Sequence, residues 1–251
     1  MCEHFIARAA EPFRLDELWE FGERQERFGL AGYGWGAGWL GSDGELHAYR
    51  DVRAFRDDPG REAVGRTETT AAIVHFRRPS RLSTIQLADT QPFEDPKGRF
   101  VFSHNGDLRD YQSLRAHYRQ QGRIHGRADT EVGQRWLEDH WRRDVPVADL
   151  LGALHQRFGG EANLALLTRD GTPHHYCGNP QNPVFAFRLG RIGIAATSLY
   201  SLDRSLFRFA APGATERRLV RDGVTVTLGS DGRPLAMTDG RPAATTTCKL
   251  A

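Results

Sequence analysis

Apolar positions recur with period two near both ends of the 251-residue chain and with helical spacing in the middle. Residues 2–9 read as a short strand in which Phe5 and Ile6 are the apolar part. Beyond Pro12, Leu15, Leu18, Trp19 and Phe28 fall roughly on one helical face. A segment rich in glycine and aromatic residues, 29–40, leads to a strong turn at Gly41-Ser42-Asp43-Gly44 and a strand over 45–49. The stretch 51–67 is charged and carries the loop signal Asp57-Asp58-Pro59-Gly60, and buried strands are predicted over 71–76 and 100–104. Helices are predicted over 108–121, 129–142 and 147–158. In the second, Val132, Trp136, Leu137 and His140 recur at helical spacing, and Asp129 stands where an N-terminal cap would. From residue 162 the period shortens again, with strands near 162–168, 173–177, 183–188, 191–196, 222–228 and 233–238.

Strands, a helical block and more strands, with no internal repeat and no linker, describe an α+β layered domain and not an alternating βαβ sheet. The pattern predicts one domain over 2–239 and a tail over 240–251, poor in apolar residues and expected to be disordered. A chain of this length can bury a full core without a disulfide or metal staple. The 34 basic and 32 acidic side chains leave a formal charge of +2, which argues against a dedicated nucleic-acid binder. No apolar run is long enough to span a bilayer, and the N-terminus lacks the pattern of a secretory signal. Cys2, Cys177 and Cys248 form neither a disulfide framework nor a zinc pattern and fit a reducing cytoplasm.

Cys2 follows the initiator Met1. Removal of Met1 would leave a cysteine with both a thiol and a free α-amine. Three further segments carry candidate chemistry. In Val-His-Phe-Arg-Arg-Pro-Ser, 74–80, the strand runs into Arg77, whose planar fork of donors suits a carboxylate. The alternative there is a basic surface turn. If the strand continues, Arg78 points away from Arg77. In Ser103-His104-Asn105-Gly106-Asp107, the Asn105 side chain and the Gly106 N–H can both donate to a developing oxyanion; the alternative is an Asn-Gly turn between strand and helix. In Arg127-Ala128-Asp129-Thr130-Glu131, Asp129 can bind an ammonium group or serve only as a helix cap. His174-His175 beside Cys177 would be a poor metal pair, because adjacent strand residues face opposite ways. The glycines at 29–38 precede a strand pattern, not the helix that a phosphate cradle requires.

Cys2, the 74–80 segment, Gln91-Pro92-Phe93, His104-Asn105-Gly106-Asp107-Leu108 and Ala128-Asp129-Thr130-Glu131, in this order, resemble the class II glutamine amidotransferase domain of the N-terminal nucleophile hydrolases, in its stand-alone type. Bile acid and penicillin hydrolases share the N-terminal cysteine but not this motif combination. The resemblance implies a four-layer α/β/β/α fold and no cofactor or metal. It implies Cys2 as nucleophile with its own α-amine as base, Asn105 and Gly106 as oxyanion hole, Arg77 and Asp129 on the substrate's α-carboxylate and α-ammonium, and Ser80 as an assisting hydroxyl. The implied reaction cleaves the γ-amide of glutamine, or of another γ-glutamyl small molecule, through a thioester. Because the chain ends soon after the domain, a separate synthase subunit receiving ammonia, or a free-standing amidohydrolase, is expected. Stand-alone relatives include one that removes glutamate from a γ-glutamyl intermediate in ergothioneine synthesis. The sequence departs from the pattern at Glu3, at Leu30 and Ala31 where several members carry Arg-Gly, at Tyr33 where Asp-Gly-Trp-Gly is common, and at Thr90-Gln91 where His is frequent before Pro-Phe. The changes at Leu30, Ala31 and Tyr33 favour the rival reading, a catalytically silent regulatory or binding subunit.

Overall fold

Two antiparallel sheets lie face to face, each covered on its outer side by helices, in a computed structural model that describes residues 2–197 and 205–239. In chain order the elements are β1 (Glu3–Arg14), α1 (Trp19–Phe28), β2 (Trp35–Leu40), β3 (Leu46–Asp51), α2 (Gly60–Gly65) and β4 (Glu68–Phe76). Next come β5 (Phe93–Glu94), β6 (Phe100–Leu108), α3 (Gln112–Gln120), α4 (Asp129–His140), α5 (Val147–Phe158) and β7 (Gly160–Thr168). The rest is β8 (Pro173–Tyr176), β9 (Val184–Leu189), β10 (Ile192–Thr197), α6 (Ser205–Ala210), β11 (Thr215–Leu219), β12 (Val224–Leu228) and β13 (Pro234–Asp239). The first sheet has the order β11-β9-β10-β1-β4-β2-β3 and the second β13-β12-β8-β7-β6-β5. The expected tail, 240–251, lies outside the described residues, and so does Cys248.

The period of two sets the layers. On β1, Phe5 and Ala7 pack with Trp19 and Phe21 of α1, while Ile6 faces the other sheet. On β6, Phe100 and Phe102 pack under Val132, Trp136 and Leu137 of α4 and Leu151 and Leu154 of α5, while Val101 faces inward. The interlayer is built mostly from small or branched residues, among them Ile6, Ala71, Ile73, Val101, Ala165 and Val226. These layers, α/β/β/α, are the expected N-terminal nucleophile arrangement.

Several boundaries differ from the expectation. β1 runs on to Arg14, because β4 pairs with it as far as Arg14↔Glu68 across an irregular register. The charged stretch 51–67 contains the short helix α2, which buries Val64. β6 continues through Asn105 and Gly106 to Leu108, so that α3 starts only at Gln112. β11, all of whose side chains are exposed, had no apolar pattern to announce it. Among the described residues no helix is long and apolar enough to cross a membrane.

At the end of the sandwich remote from the start of β1, the backbones of Gly193 and Gly232 touch: a Cβ on Gly193 would lie 1.6 Å from the Gly232 carbonyl oxygen. Gly193→Ala therefore forces the hairpin after β12 away from β10. A stability loss of about 1–3 kcal/mol is expected, read as a lower midpoint in urea unfolding; an unchanged midpoint would show that the hairpin swings freely.

Candidate active site

The site forms where β1 begins, between the ends of β4 and β6. Beyond Phe76 the β4 strand stops, but its backbone is held in place. The Arg77 N–H donates to the Gly34 carbonyl at 2.8 Å, and its own carbonyl accepts from the N–H groups of Gly32 and Tyr33 at 3.1 and 3.2 Å. The glycine- and aromatic-rich segment before β2 is thus a main-chain cradle for Arg77. One residue further, the Arg78 N–H donates to Cys2 Sγ at 3.3 Å, and Cys2 Sγ lies 3.6 Å from the Arg78 carbonyl oxygen. Since the strand has ended, alternation lapses, and Arg78 lines the same cleft as Arg77, with its backbone N–H and carbonyl beside Cys2 Sγ.

On the other side of Cys2 stands β6. Asn105 is completely buried, and its Nδ2 donates to the Cys2 carbonyl. Its Oδ1 accepts from Asn163 Nδ2 on β7 at 3.4 Å; the same amide group donates to the Asn182 carbonyl at 2.7 Å, and Asn163 Oδ1 accepts from the Gly178 N–H. That chain of bonds sets which end of the Asn105 amide faces Cys2. The Asn-Gly pair is not a turn. Asn105 is opposite Asn163 and Gly106 opposite Ala162 in the ladder. Gly106 has φ +135°, and a Cβ there would lie 1.7 Å from the Glu161 carbonyl oxygen, so glycine is required by both conformation and space.

Asp129 is not a helix cap. It is the first residue of α4; its Oδ2 accepts from the Leu108 N–H at 2.7 Å and its Oδ1 from its neighbour Thr130 at 2.9 Å. The loop before α4 is held from elsewhere. Buried Asp89 accepts from the N–H groups of Arg127 and Ala128, and Glu131 accepts from those of His125 and Gly126 at 2.8 Å each. Gln91 joins the two halves: its Oε1 accepts from the His104 N–H at 2.6 Å and its Nε2 donates to Thr130 Oγ1 at 3.2 Å.

Cys2, Arg77, Ser80, Gly106 and Asp129 all line one cleft of about 980 Å³, which Asn105 adjoins through its bond to Cys2. Arg77 is only 4% exposed, yet its Nη1 has no hydrogen-bond partner among the described residues. Burial pushes the Cys2 thiol up from its ordinary value, against the pull of the Arg78 N–H and the Arg77 guanidinium. The resting sulfur is therefore a thiol, and it needs a base to become a nucleophile. Cys177 is buried in the interlayer, where desolvation pushes its thiol up to about 11. His174 and His175 do face apart. His174 pairs with Thr227 Oγ1 at 2.9 Å, whereas His175 packs edge-on against His4, ring centroids 4.6 Å apart. Among the described residues no group of three or more histidine, cysteine or acidic side chains is placed to hold a metal.

The groups missed by sequence reasoning are the Arg78 N–H, the Gly32–Tyr33–Gly34 main chain, Asp89 and Asn163. Only the last left a visible signal, a lone amide inside the apolar run of β7.

Residues 79–174 match the family described as a glutamine amidotransferase domain. No curated protein matches the chain. Among solved structures, it is similar to the glutamine phosphoribosylpyrophosphate amidotransferase of B. subtilis, determined with ADP and GMP (18% identity, TM-score 0.70, 95% of this chain and 50% of that one). It is similar to an allosteric regulatory enzyme of purine biosynthesis (17%, TM-score 0.71, 94% and 50%). It is also similar to a glutamine aminotransferase class-II domain protein of Silicibacter pomeroyi (18%, TM-score 0.56, 93% and 99%). The chain spans about half the length of the first two.

Behind Cys2, the interlayer holds buried His4, His75 and His175, with His4 Nδ1 3.0 Å from Ser103 Oγ. Burial is the main cause that holds His4 and His75 well below the ordinary value, and it lowers His175 to about 3. These rings stay neutral in the folded chain while the unfolded chain protonates below about pH 6.5. Stability is therefore full above that pH and falls as pH drops, by up to about 1.4 kcal/mol per pH unit for each histidine. His175→Phe is expected to make the acid limb shallower between pH 6.5 and 4 in urea unfolding; an unaltered slope would mean that His175 titrates normally.

Proposed function

We propose that the chain, a segment of which matches the glutamine amidotransferase domain and whose fold is similar to that of such enzymes, is an amidohydrolase that cleaves the γ-amide of glutamine or of a γ-glutamyl small molecule. Cys2 is the nucleophile. Once Met1 is removed, the α-amine of Cys2, with a reference pKa of about 7.7–8.0, takes the thiol proton as Sγ attacks the amide carbonyl. The oxyanion that forms is met by Asn105 Nδ2, which has a second hydrogen beyond the one given to the Cys2 carbonyl, and by the Gly106 N–H. A single donor of this kind is worth roughly 10²–10³ in rate. The C–N bond then breaks, the α-amine returns the proton to the leaving nitrogen, and water hydrolyses the γ-glutamyl thioester to release glutamate. When glutamine is the substrate, the ammonia either passes to a separate synthase subunit or leaves to solvent.

The observation that carries the reading is Arg77, a buried guanidinium with an orphaned Nη1 in the cleft of the thiol. A buried donor without an acceptor is costly, and a substrate α-carboxylate would supply one. Asp129 lines the same cleft and would take the ammonium, and exposed Ser80 lines it too.

Arg77→Ala is expected to lower kcat/KM for glutamine by about 10–100-fold for each charge-assisted bond lost, and Arg77→Lys to recover only part of it. The same Ala variant should lose far less on 4-aminobutanamide, which lacks the α-carboxylate. An equal penalty on both amides would remove Arg77 from substrate binding. Intact-mass analysis should show a chain lacking Met1, and diazo-oxo-norleucine should add once, at Cys2; labelling at Cys177 with Cys2 untouched would refute the nucleophile.

A further inference from the structure

The cleft is much larger than an amino acid requires, near the upper end of the roughly 300–1,000 Å³ that encloses drug-sized ligands. Its lining beyond Cys2 and Arg77 is also unusual in charge. Arg78, Arg81, Arg109 and Arg127 all line it, on the loop after β4, at the end of β6 and just before α4. None of these four guanidinium groups makes a hydrogen bond or ion pair among the described residues. Other arginines of the fold are held by acids, as in Arg53 with Asp51, Arg99 with Asp95, and Arg123 with Glu138.

Beyond Arg77 and Asp129, the carboxylates of the cleft are one fewer than these arginines, and two of the three are engaged by other groups. Asp89 is completely buried and takes the Arg127 and Ala128 N–H groups and Gln86 Nε2; Glu161 accepts from Gln181. With Arg77 and Asp129 occupied by the substrate's amino-acid end, four arginines face Asp107, Glu161 and the sealed Asp89. An open cleft lined in this way focuses positive potential on whatever lies beyond the scissile bond.

We infer that the substrate is a γ-glutamyl amide whose leaving amine carries an anionic group, a carboxylate, sulfonate or phosphate, and that Arg81, Arg109 and Arg127 hold it. This rests on the amidohydrolase reading above and names the substrate class of that site. The chemical step is unchanged: Cys2 Sγ displaces the amine, the amine leaves with the proton from the Cys2 α-amine, and water releases glutamate. What changes is that guanidinium groups, good partners for planar or tetrahedral anions, hold the departing half.

The test compares hydrolysis of γ-glutamylglycine and γ-glutamyltaurine with that of γ-glutamylethylamide, which has a neutral leaving group, and with glutamine. At least one anionic amide should show kcat/KM about 10-fold above the ethylamide, the scale of a few exposed charge contacts acting together. That ratio should shrink with added salt and fall toward one in Arg81→Ala, Arg109→Ala and Arg127→Ala, taken singly and together. A ratio near or below one in the unaltered chain, or one that the combined variant leaves intact, overturns the inference. Hydrolysis of glutamine with no turnover of any substituted amide overturns it too, while sparing the amidohydrolase reading. A chain that cleaves none of the four overturns both.

Discussion

The Thr197 hydroxyl, at the end of β10, accepts from the His4 N–H at 3.1 Å and donates to the Glu3 carboxylate, and on the other side Glu3 and His4 pair with Phe76 and His75 of β4. Chain starts ordinarily fray. Here Glu3 and His4 are completely buried and bound on both edges, in the central strand of the larger sheet. The immobility of Cys2 follows, since one residue earlier the chain has no freedom left except at its own first bonds. The Arg78 N–H at Sγ and the Asn105 amide at the carbonyl then remove most of that. Ordering these groups costs conformational entropy, which the apolar layers on both faces of β1 offset.

The same constraint explains the electrostatics. Holding Cys2 at the mouth of a sheet sandwich places its thiol above an apolar interlayer, where charge is penalised. His4, His75 and His175 stay neutral there, and Cys2 is pushed toward the protonated thiol. Against that background the Arg78 N–H and the Arg77 guanidinium both act on the sulfur in the opposite sense, favouring its charged form. The site combines a neutral reactive group with charged groups that can bind, which suits differential stabilisation of a developing anion.

How much could be read from the letters depended on which atoms do the work. α5 is found over 147–158 as the helical period indicated, and the strands from 162 onward lie within a residue or two of their expected places. Pairing across the sheet overrode local signals elsewhere: β7 draws Asn105 and Gly106 into the ladder although Asn-Gly is a turn signal, and the all-exposed β11 forms on the edge of β9. In the candidate site, side chains with chemistry in their names, Cys2, Arg77, Ser80 and Asp129, come together with Gly106 on one cleft. The main-chain contributions of Arg78 and of residues 32–34 did not show, because an N–H outside a recognisable motif carries no residue identity. Asp89 was hidden for a related reason: its work is done on the backbone of residues 127 and 128, far away in sequence.

The hold on Arg77 has an evolutionary side. Gly32, Tyr33 and Gly34 grip it through N–H and C=O alone, while Tyr33 itself is almost half exposed. Substitution at 33 therefore exchanges a group that the grip does not use, and the Tyr found there leaves the geometry at Arg77 whole. The backbone path is what matters here: position 33 can change its letter and keep the same hand closed around the same guanidinium, whereas Gly34, at φ +120°, cannot.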